Sequence, residues 1–169
     1  CNFALQLLFQ KEGRQFHENN LVGAYISHKI DAGRFSPLLD DLLGENAEFC
    51  IEDRSSSIDE ILSKRVNYIP GEDTLGFAYI SLRNLGHRKS TGAYFTPFHT
   101  VKALVDSLAD CMDIKEKRVF DPCCGTGNFL IYTSSFVDTP KQLYGQDIDE
   151  ISIQLTRLNI ALNCNVKDI

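Results

Sequence analysis

Arg118-Val119-Phe120-Asp121-Pro122-Cys123-Cys124-Gly125-Thr126-Gly127-Asn128-Phe129-Leu130 decides how this chain is read. Val119 and Phe120 form a short β-type run that ends in Asp121-Pro122. Gly125 and Gly127 make a turn, and an apolar pattern of helical period follows. This order puts a carboxylate and bare backbone at the carboxyl end of a strand. In an open α/β sheet, that is where ligands bind. The predicted fold class is α/β. The bland alternative is a tight strand-to-helix turn that holds nothing.

The details of the turn separate the ligands. A dinucleotide loop needs Gly-x-Gly-x-x-Gly, the third glycine allowing helix and strand to pack closely. Leu130 stands at that third position, which weakens the dinucleotide reading. A phosphate-cradling loop ends in Gly-Lys-Ser/Thr, and no such ending is present. What remains is Asp-Pro-x-x-Gly-x-Gly-x-Phe. The acid suits a positively charged group, the glycines let backbone approach without a Cβ, and the helix start favours an anion. An amino-acid moiety carries both charges, and S-adenosylmethionine contains one.

Two further segments stand in register with the turn. Lys141 to Tyr144 reads as a second short strand, followed by Gly145-Gln146-Asp147-Ile148-Asp149. One helix and one loop separate it from the first, as a βαβ unit requires. In nucleotide-binding α/β folds an acid about 20 residues after the glycine turn binds ribose hydroxyls. Asp147 is placed for that role, and Ile148 for packing on an adenine face. Asp149 is the rival acid, but it also suits the N-cap of the next helix. Upstream, Thr91-Gly92-Ala93-Tyr94-Phe95-Thr96-Pro97 leads into an apolar helical face at Val101, Leu104, Val105 and Leu108. Thr96 is expected as N-cap and Pro97 at the first helical position. Either the segment is only a capped helix with an aromatic lead-in, or Tyr94, Phe95, Thr96 and Pro97 close over a ligand's methionine end.

Together the three segments resemble motifs X, I and II of the amino-type DNA methyltransferases that modify adenine N6. The likeness is strongest to the methylation subunits of type I restriction–modification systems and to fused type II enzymes. Lys89-Ser90-Thr91-Gly92-Ala93-Tyr94-Phe95-Thr96-Pro97 is similar to Lys-x-Thr-Gly-x-Tyr-Tyr/Phe-Thr-Pro, and Gly145-Gln146-Asp147-Ile148-Asp149 to Gly-x-Glu/Asp-Ile-Asp/Asn. It spans roughly residues 73–163. The resemblance implies a Rossmann-like methyltransferase sheet, preceded by an α-helical region, and S-adenosylmethionine as cofactor. The implied cofactor residues are Tyr94, Phe95, Thr96, Pro97, Asp121, Pro122, Gly125, Thr126, Gly127, Phe129, Asp147 and Ile148. It also implies DNA as substrate of the intact protein, with specificity and restriction subunits as partners.

The family's catalytic Asn/Asp-Pro-Pro-Tyr/Phe has no counterpart here. Prolines stand at 37, 70, 97, 122 and 140, none adjacent to another. No catalytic residue is assigned. Val166 to Ile169 reads as the start of a third strand, and the chain opens on Cys1. The expectation is a piece of a longer enzyme: helical residues 1–86, then residues 87–169 as the first part of the cofactor domain, inactive alone.

The 169 residues carry 17 basic and 23 acidic side chains, a net charge of −6. That argues against a strong independent grip on nucleic acid, which usually shows as a basic face. One basic cluster, Arg83, His87, Arg88 and Lys89, reads as a solvated loop or a phosphate contact. The six cysteines show no Cys-x-x-Cys spacing and the four histidines are scattered, so no metal site is expected. Cys123 and Cys124 fit as small residues in a tight turn. No signal peptide or membrane-length apolar run appears, and a reduced cytoplasmic setting fits.

Residues 1–86 read as helices with no chemical motif. The candidates are a first segment around Phe3, Leu7 and Leu8, a second from Leu21 to Ile30, and a third from Ser36-Pro37 to Gly44. A capping box at Ser57-Ile58-Asp59-Glu60 and a helix capped by Asp73 running to Gly86 follow, with a loop at 45–56 and a turn at Pro70-Gly71. Two other functions fit the same residues: a methyltransferase acting on RNA or protein, and a non-catalytic cofactor-binding or assembly module.

Overall fold

The computed structural model describes residues 1–44, 56–82 and 95–164. Contacts divide the chain into two compact units, Cys1–Tyr68 and Ile69–Asp168. The second unit starts ahead of the 86/87 boundary expected from the motifs. The reason is packing: the helix that Asp73 caps lies on the last helix of the second unit.

In the first unit, α1 (Asn2–Lys11) and α2 (Leu21–Ile26) pack together, followed by a 3-10 turn at Gly33–Phe35, α3 (Ser36–Leu43) and α4 (Ser56–Ser63). Leu5, Leu8, Leu21, Phe35 and Leu39 are fully buried. The Asn20 side chain caps α2 by accepting from Gly23 N at 2.9 Å. α2 stops short of Ile30 because Ser27 Oγ bonds back to Gly23 O at 2.7 Å and His28 turns left-handed, at φ 55°. α3 runs from Pro37 in its first turn to Gly44 at φ 54°, as its sequence punctuation predicts.

A polar seam that the apolar periodicity does not announce crosses this unit. Asn2, Gln6 and Gln10 lie one turn apart on α1. Gln6 donates to Lys64 O (3.0 Å) and accepts from Val66 N (3.1 Å). Gln10 donates to Val66 O (2.7 Å) and accepts from Tyr68 N (2.8 Å). Asn2 donates to Leu62 O and accepts from Leu21 N. Side-chain amides each offer a donor and an acceptor, so they can stand in for a neighbouring strand. They bond backbone groups of Leu62, Lys64, Val66 and Tyr68, none of which belongs to a sheet.

The second unit carries α5 (Thr74–Leu82), α6 (Phe98–Cys111), β1 (Val119–Asp121), α7 (Asn128–Thr133), β2 (Leu143–Gly145) and α8 (Glu150–Asn163). β1 and β2 pair in parallel, Val119 opposite Leu143, Phe120 opposite Tyr144 and Asp121 opposite Gly145. α7 is the connection between them, which makes the predicted βαβ unit. Among the described residues the architecture is therefore mixed helical with a two-stranded parallel sheet. Val101, Val105, Leu130, Ile131, Leu155, Leu158 and Leu162 form the buried core. Side chains alternate across a sheet, and Phe120 and Tyr144 share its other face, 58% and 47% exposed.

Two expectations for α6 are corrected. Pro97, not Thr96, occupies the N-cap position, with extended ψ of 141° and no side-chain cap. Pro97 O accepts from Thr100 N at 2.9 Å and so begins the helix one residue later than expected. The apolar face also splits. Val101 and Val105 are buried, while Leu104 and Leu108 are 56% and 44% exposed. Periodicity identifies an apolar stripe but not how much of it a neighbour covers. Residues 45–55, the cluster Arg83, His87, Arg88 and Lys89, the segment Lys89–Tyr94 and the expected third strand at 166–169 lie outside the described residues.

Candidate ligand loop at the strand ends

The loop after β1 continues the sheet before it turns. Gln146 N donates to Asp121 O, and Cys124 N to Gln146 O, both at 2.9 Å. Asp121 Oδ1 accepts from Cys123 N at 3.1 Å, a side-chain turn around Pro122. Its other oxygen has no hydrogen bond among the described residues. The chain then reverses through Gly125 and Gly127, both left-handed at φ 53° and 91°. Only glycine takes such angles without steric cost. At Gly127 a second reason applies, because an added Cβ would sit 2.9 Å from Thr156 Cγ2. Thr156 in turn donates from Oγ1 to Gly125 O at 2.8 Å, so α8 holds the turn through one side chain.

Asp147 joins the two strand ends. Oδ2 accepts from Gly125 N at 2.8 Å and Oδ1 from Asp149 N at 2.9 Å. Each carboxylate oxygen has two lone pairs, so acceptor capacity for a hydroxyl remains on both. Ile148 beside it is 98% exposed, an apolar side chain with nothing on it. Asp149 stands at the N-cap position of α8, as expected for the rival acid. Its Oδ2 accepts from Tyr79 OH and Ser152 Oγ, each at 2.8 Å, rather than from α8 backbone.

Beneath the turn lies a buried polar cluster that motif reading does not reach. Asp73, 3% exposed, accepts on Oδ1 from Gly76 N and from Asn159 Nδ2, both at 2.6 Å. On Oδ2 it accepts from the Thr126 hydroxyl. Asn159 also donates to Thr126 O at 2.9 Å. Burial pushes the Asp73 carboxyl up to about 6 from 3.8, although the donors from Thr126, Gly76 and Asn159 each favour its ionised form. The signal in the sequence was only the N-cap at Asp73, which holds.

The described end of the segment before α6 is tied to the start of α7. Asn128 Nδ2 donates to Thr96 O at 2.6 Å. Asn128 Oδ1 is buried with no hydrogen-bond partner among the described residues. Phe95 packs edge-on against Phe77 of α5, ring centroids 6.0 Å apart. Of the remaining sequence-predicted residues, Pro122 is exposed, Phe129 is half-buried in α7, and Tyr94 lies outside the described residues. The structure thus gathers Thr96, Asp121, Gly125, Thr126, Gly127 and Asp147 around one turn, linked directly or through Asn128 and the strand ends.

Burial pushes the Cys124 thiol up, with the Asp121 and Asp147 carboxylates adding to the effect against a polar contact with the Thr156 hydroxyl. A thiol so placed stays protonated and unreactive. Among the described residues no group of His, Cys, Asp and Glu is gathered for a metal ion, and no helix is long and apolar enough to cross a membrane.

Residues 71–169 match the N-6 DNA Methylase family, more than half of the chain, and the chain belongs to that family. Among curated proteins it is similar to the type II methyltransferase M.VspI of Vibrio sp. (strain 343), 28% identical over 150 residues, covering 83% of this chain and 36% of that protein. It is also similar to the type I restriction enzyme MjaIX methylase subunit of Methanocaldococcus jannaschii, 30% identical over 43% of this chain and 14% of that protein. Ribosomal protein L11 methyltransferase of Thermoanaerobacter sp. (strain X514) is 40% identical over 42% of this chain and 22% of that protein. The chain spans about a third or less of the length of these relatives. No solved structure matches it.

Proposed function

We propose that this chain is the S-adenosylmethionine-binding part of a DNA methyltransferase that modifies adenine N6 in a restriction–modification system. Family membership supports the reaction class. The observation that carries the cofactor is the turn itself, with two left-handed glycines between Asp121 and Asp147 at adjacent strand ends. In this reading β1, α7 and β2 open a Rossmann-like sheet. The methyltransferase domain begins near Ile69, where the second unit and the family match both start. The helical residues before it serve contacts with the rest of the enzyme or with partner subunits.

The residues present fit the cofactor. Its ammonium and sulfonium are cationic, and Asp121 and Asp147 supply negative charge on either side of the turn. The buried Asn128 Oδ1 has no donor among the described residues, and an ammonium or hydroxyl would provide one. Asp147 keeps lone pairs for ribose hydroxyls, and Ile148 offers its bare surface to the adenine. Thr96 and Pro97, with Phe95 and Tyr94, would close over the methionine end, while Pro122, Thr126 and Phe129 shape the turn from its flanks. Bound S-adenosylmethionine supplies an electrophilic methyl group. The task of these residues is to fix its position, since orienting two reactants removes much of the barrier. The chain offers no Asn/Asp-Pro-Pro-Tyr/Phe to hold the adenine amino group, so binding the flipped base falls to other residues of the intact enzyme.

Calorimetric titration of the intact protein with S-adenosylmethionine, comparing Asp121→Ala and Asp147→Ala, tests the site. Each variant is expected to lose at least about tenfold in affinity, the scale of one hydrogen bond to a charged group. Unchanged affinity in both would overturn the residue assignments. The likeness to ribosomal protein L11 methyltransferase supports a second reading, a protein substrate on the same cofactor site. Transfer of labelled methyl to unmethylated DNA, and not to protein, decides for the first.

A further inference from the structure

We infer that Asp73 is a positioning residue for the ligand loop, holding Thr126 in place between the two left-handed glycines through a carboxylate shared with Asn159. This deepens the cofactor reading above and rests on it. Gly125 and Gly127 give the turn its shape and also its freedom, since glycine has no preferred sign of φ. The residue between them is therefore where the turn has to be held. Thr126 is 7% exposed, and its hydroxyl and its carbonyl are both taken from beneath. Its hydroxyl donates to Asp73 Oδ2, and its carbonyl accepts from Asn159 Nδ2 at 2.9 Å.

An N-cap alone would not need this arrangement. Capping asks for one acceptor on one backbone N–H, and Asp73 Oδ1 meets it with Gly76 N at 2.6 Å. Ser would serve as well, at a solvent-facing helix start. Asp73 is instead nearly inaccessible, and its second oxygen is used entirely by the loop. Gly76 makes way for that contact, because a Cβ there would overlap both Thr126 Oγ1 and Asp73 Oδ2. Burial of the carboxyl, which raises its pKa to about 6, is a standing cost that capping does not explain. The three elements that meet at Asp73 are α5, the loop and α8, through Gly76, Thr126 and Asn159 respectively.

Four variants of the intact protein separate positioning from capping. Asp73→Ser keeps an acceptor for Gly76 N but is too short to reach Thr126 and Asn159. Asp73→Asn keeps both the reach and the shape. Thr126→Val removes the hydroxyl from the loop side. Asp73→Ala removes cap and reach together. Two readouts are taken: affinity for S-adenosylmethionine by calorimetry, and amide hydrogen exchange resolved along residues 69–164, with circular dichroism checking that helix content is kept. Asp73→Ser and Thr126→Val are expected to lose tenfold or more in affinity and to exchange faster at residues 121–128, while Asp73→Asn stays within about threefold of the wild type. Asp73→Ala should lose both loop protection and protection at the start of α5. Wild-type behaviour of Asp73→Ser, or faster exchange spread evenly over residues 69–164 in every variant, would reduce Asp73 to a cap or a general stabiliser and overturn the inference. If the wild type itself does not bind S-adenosylmethionine, the cofactor reading fails, and the exchange pattern still decides whether Asp73 holds the loop.

Discussion

Replacing Gly127 by Ala puts a methyl group where the structure leaves no room and asks L-alanine for an angle it avoids. The two costs can be separated within one loop. At φ 91° the backbone alone costs about 1–2 kcal/mol for a residue with a Cβ. The methyl would also lie 2.9 Å from Thr156 Cγ2 and 3.1 Å from Thr156 Oγ1. Thr156 is buried on α8 and bonded to Gly125 O at 2.8 Å, so it cannot turn aside without releasing the loop. Overpacking of this kind costs a further ~1–3 kcal/mol. Gly125→Ala is the internal control, left-handed at φ 53° but with nothing within 4 Å of an added Cβ, so it carries only the backbone cost. Urea unfolding followed by circular dichroism should place Gly127→Ala below Gly125→Ala by ~1–3 kcal/mol, a midpoint difference on the order of 1 M for a small domain. Adding Thr156→Ser to Gly127→Ala should recover part of the difference by removing Cγ2. A Gly127→Ala midpoint at or above that of Gly125→Ala would refute the assignment of Gly127 to close approach.

Asp73 makes stability depend on pH in the direction opposite to an ordinary paired carboxylate. Its folded pKa of about 6 lies above the unfolded 3.8, so the fold favours the protonated form; that contribution is full below pH ~4 and is lost as pH rises towards 6. Relative to Asp73→Asn, wild type should gain up to about 3 kcal/mol on acidification from pH 7 to 4, an order-of-magnitude figure from about two pKa units; a constant difference across that range would contradict it. Gly145→Ala should destabilise by ~1–3 kcal/mol, because the new methyl would meet Cys124 Sγ at 2.8 Å and Leu130 Cδ1 at 2.9 Å although the backbone angle is ordinary. Wild-type thermal stability in that variant would show that the sheet and α7 are not in close contact there. Leu158→Ala, at a fully buried position, should cost ~2–5 kcal/mol. Leu104→Ala, on the exposed half of the α6 stripe, should stay within about 0.5 kcal/mol in the same denaturation assay.

What was legible in the sequence is what short stretches of chain decide by themselves. Asp121-Pro122 and the glycines at 125 and 127 carry the strand end and the left-handed turn, because those residue types restrict or free the backbone wherever they stand. Pro37 and Gly44 bracket α3 for the same reason, and Asp73 caps α5. The cluster under the loop was not legible. Asp73 meets Thr126 and Asn159 only once three elements have packed, and no spacing rule links those positions. The polar seam on α1 was missed because Asn2, Gln6 and Gln10 disturb an apolar pattern rather than form one. α6 shows the converse: Leu104 and Leu108 fit the period but lie outside the contact that buries Val101 and Val105. Thr96 looked like a cap because threonine often is one, whereas its carbonyl is held by Asn128 and the helix starts beyond it.

The contact between Asp73 and Thr126 spans 53 residues, and that between Asp73 and Asn159 spans 86. Closing such long loops has an entropic cost that local turns do not have, so these bonds are expected to form after the local ones. The strand pair and α7 can assemble early from near neighbours, leaving a turn of the right sequence that is not yet held in its final geometry. A chain started at residue 87, the domain boundary expected from the sequence, would contain every residue of the turn and still lack Asp73. Its glycine loop would keep sampling conformations after the rest had folded. Where an experimenter cuts this chain therefore decides whether a recognisable binding motif is also a rigid one.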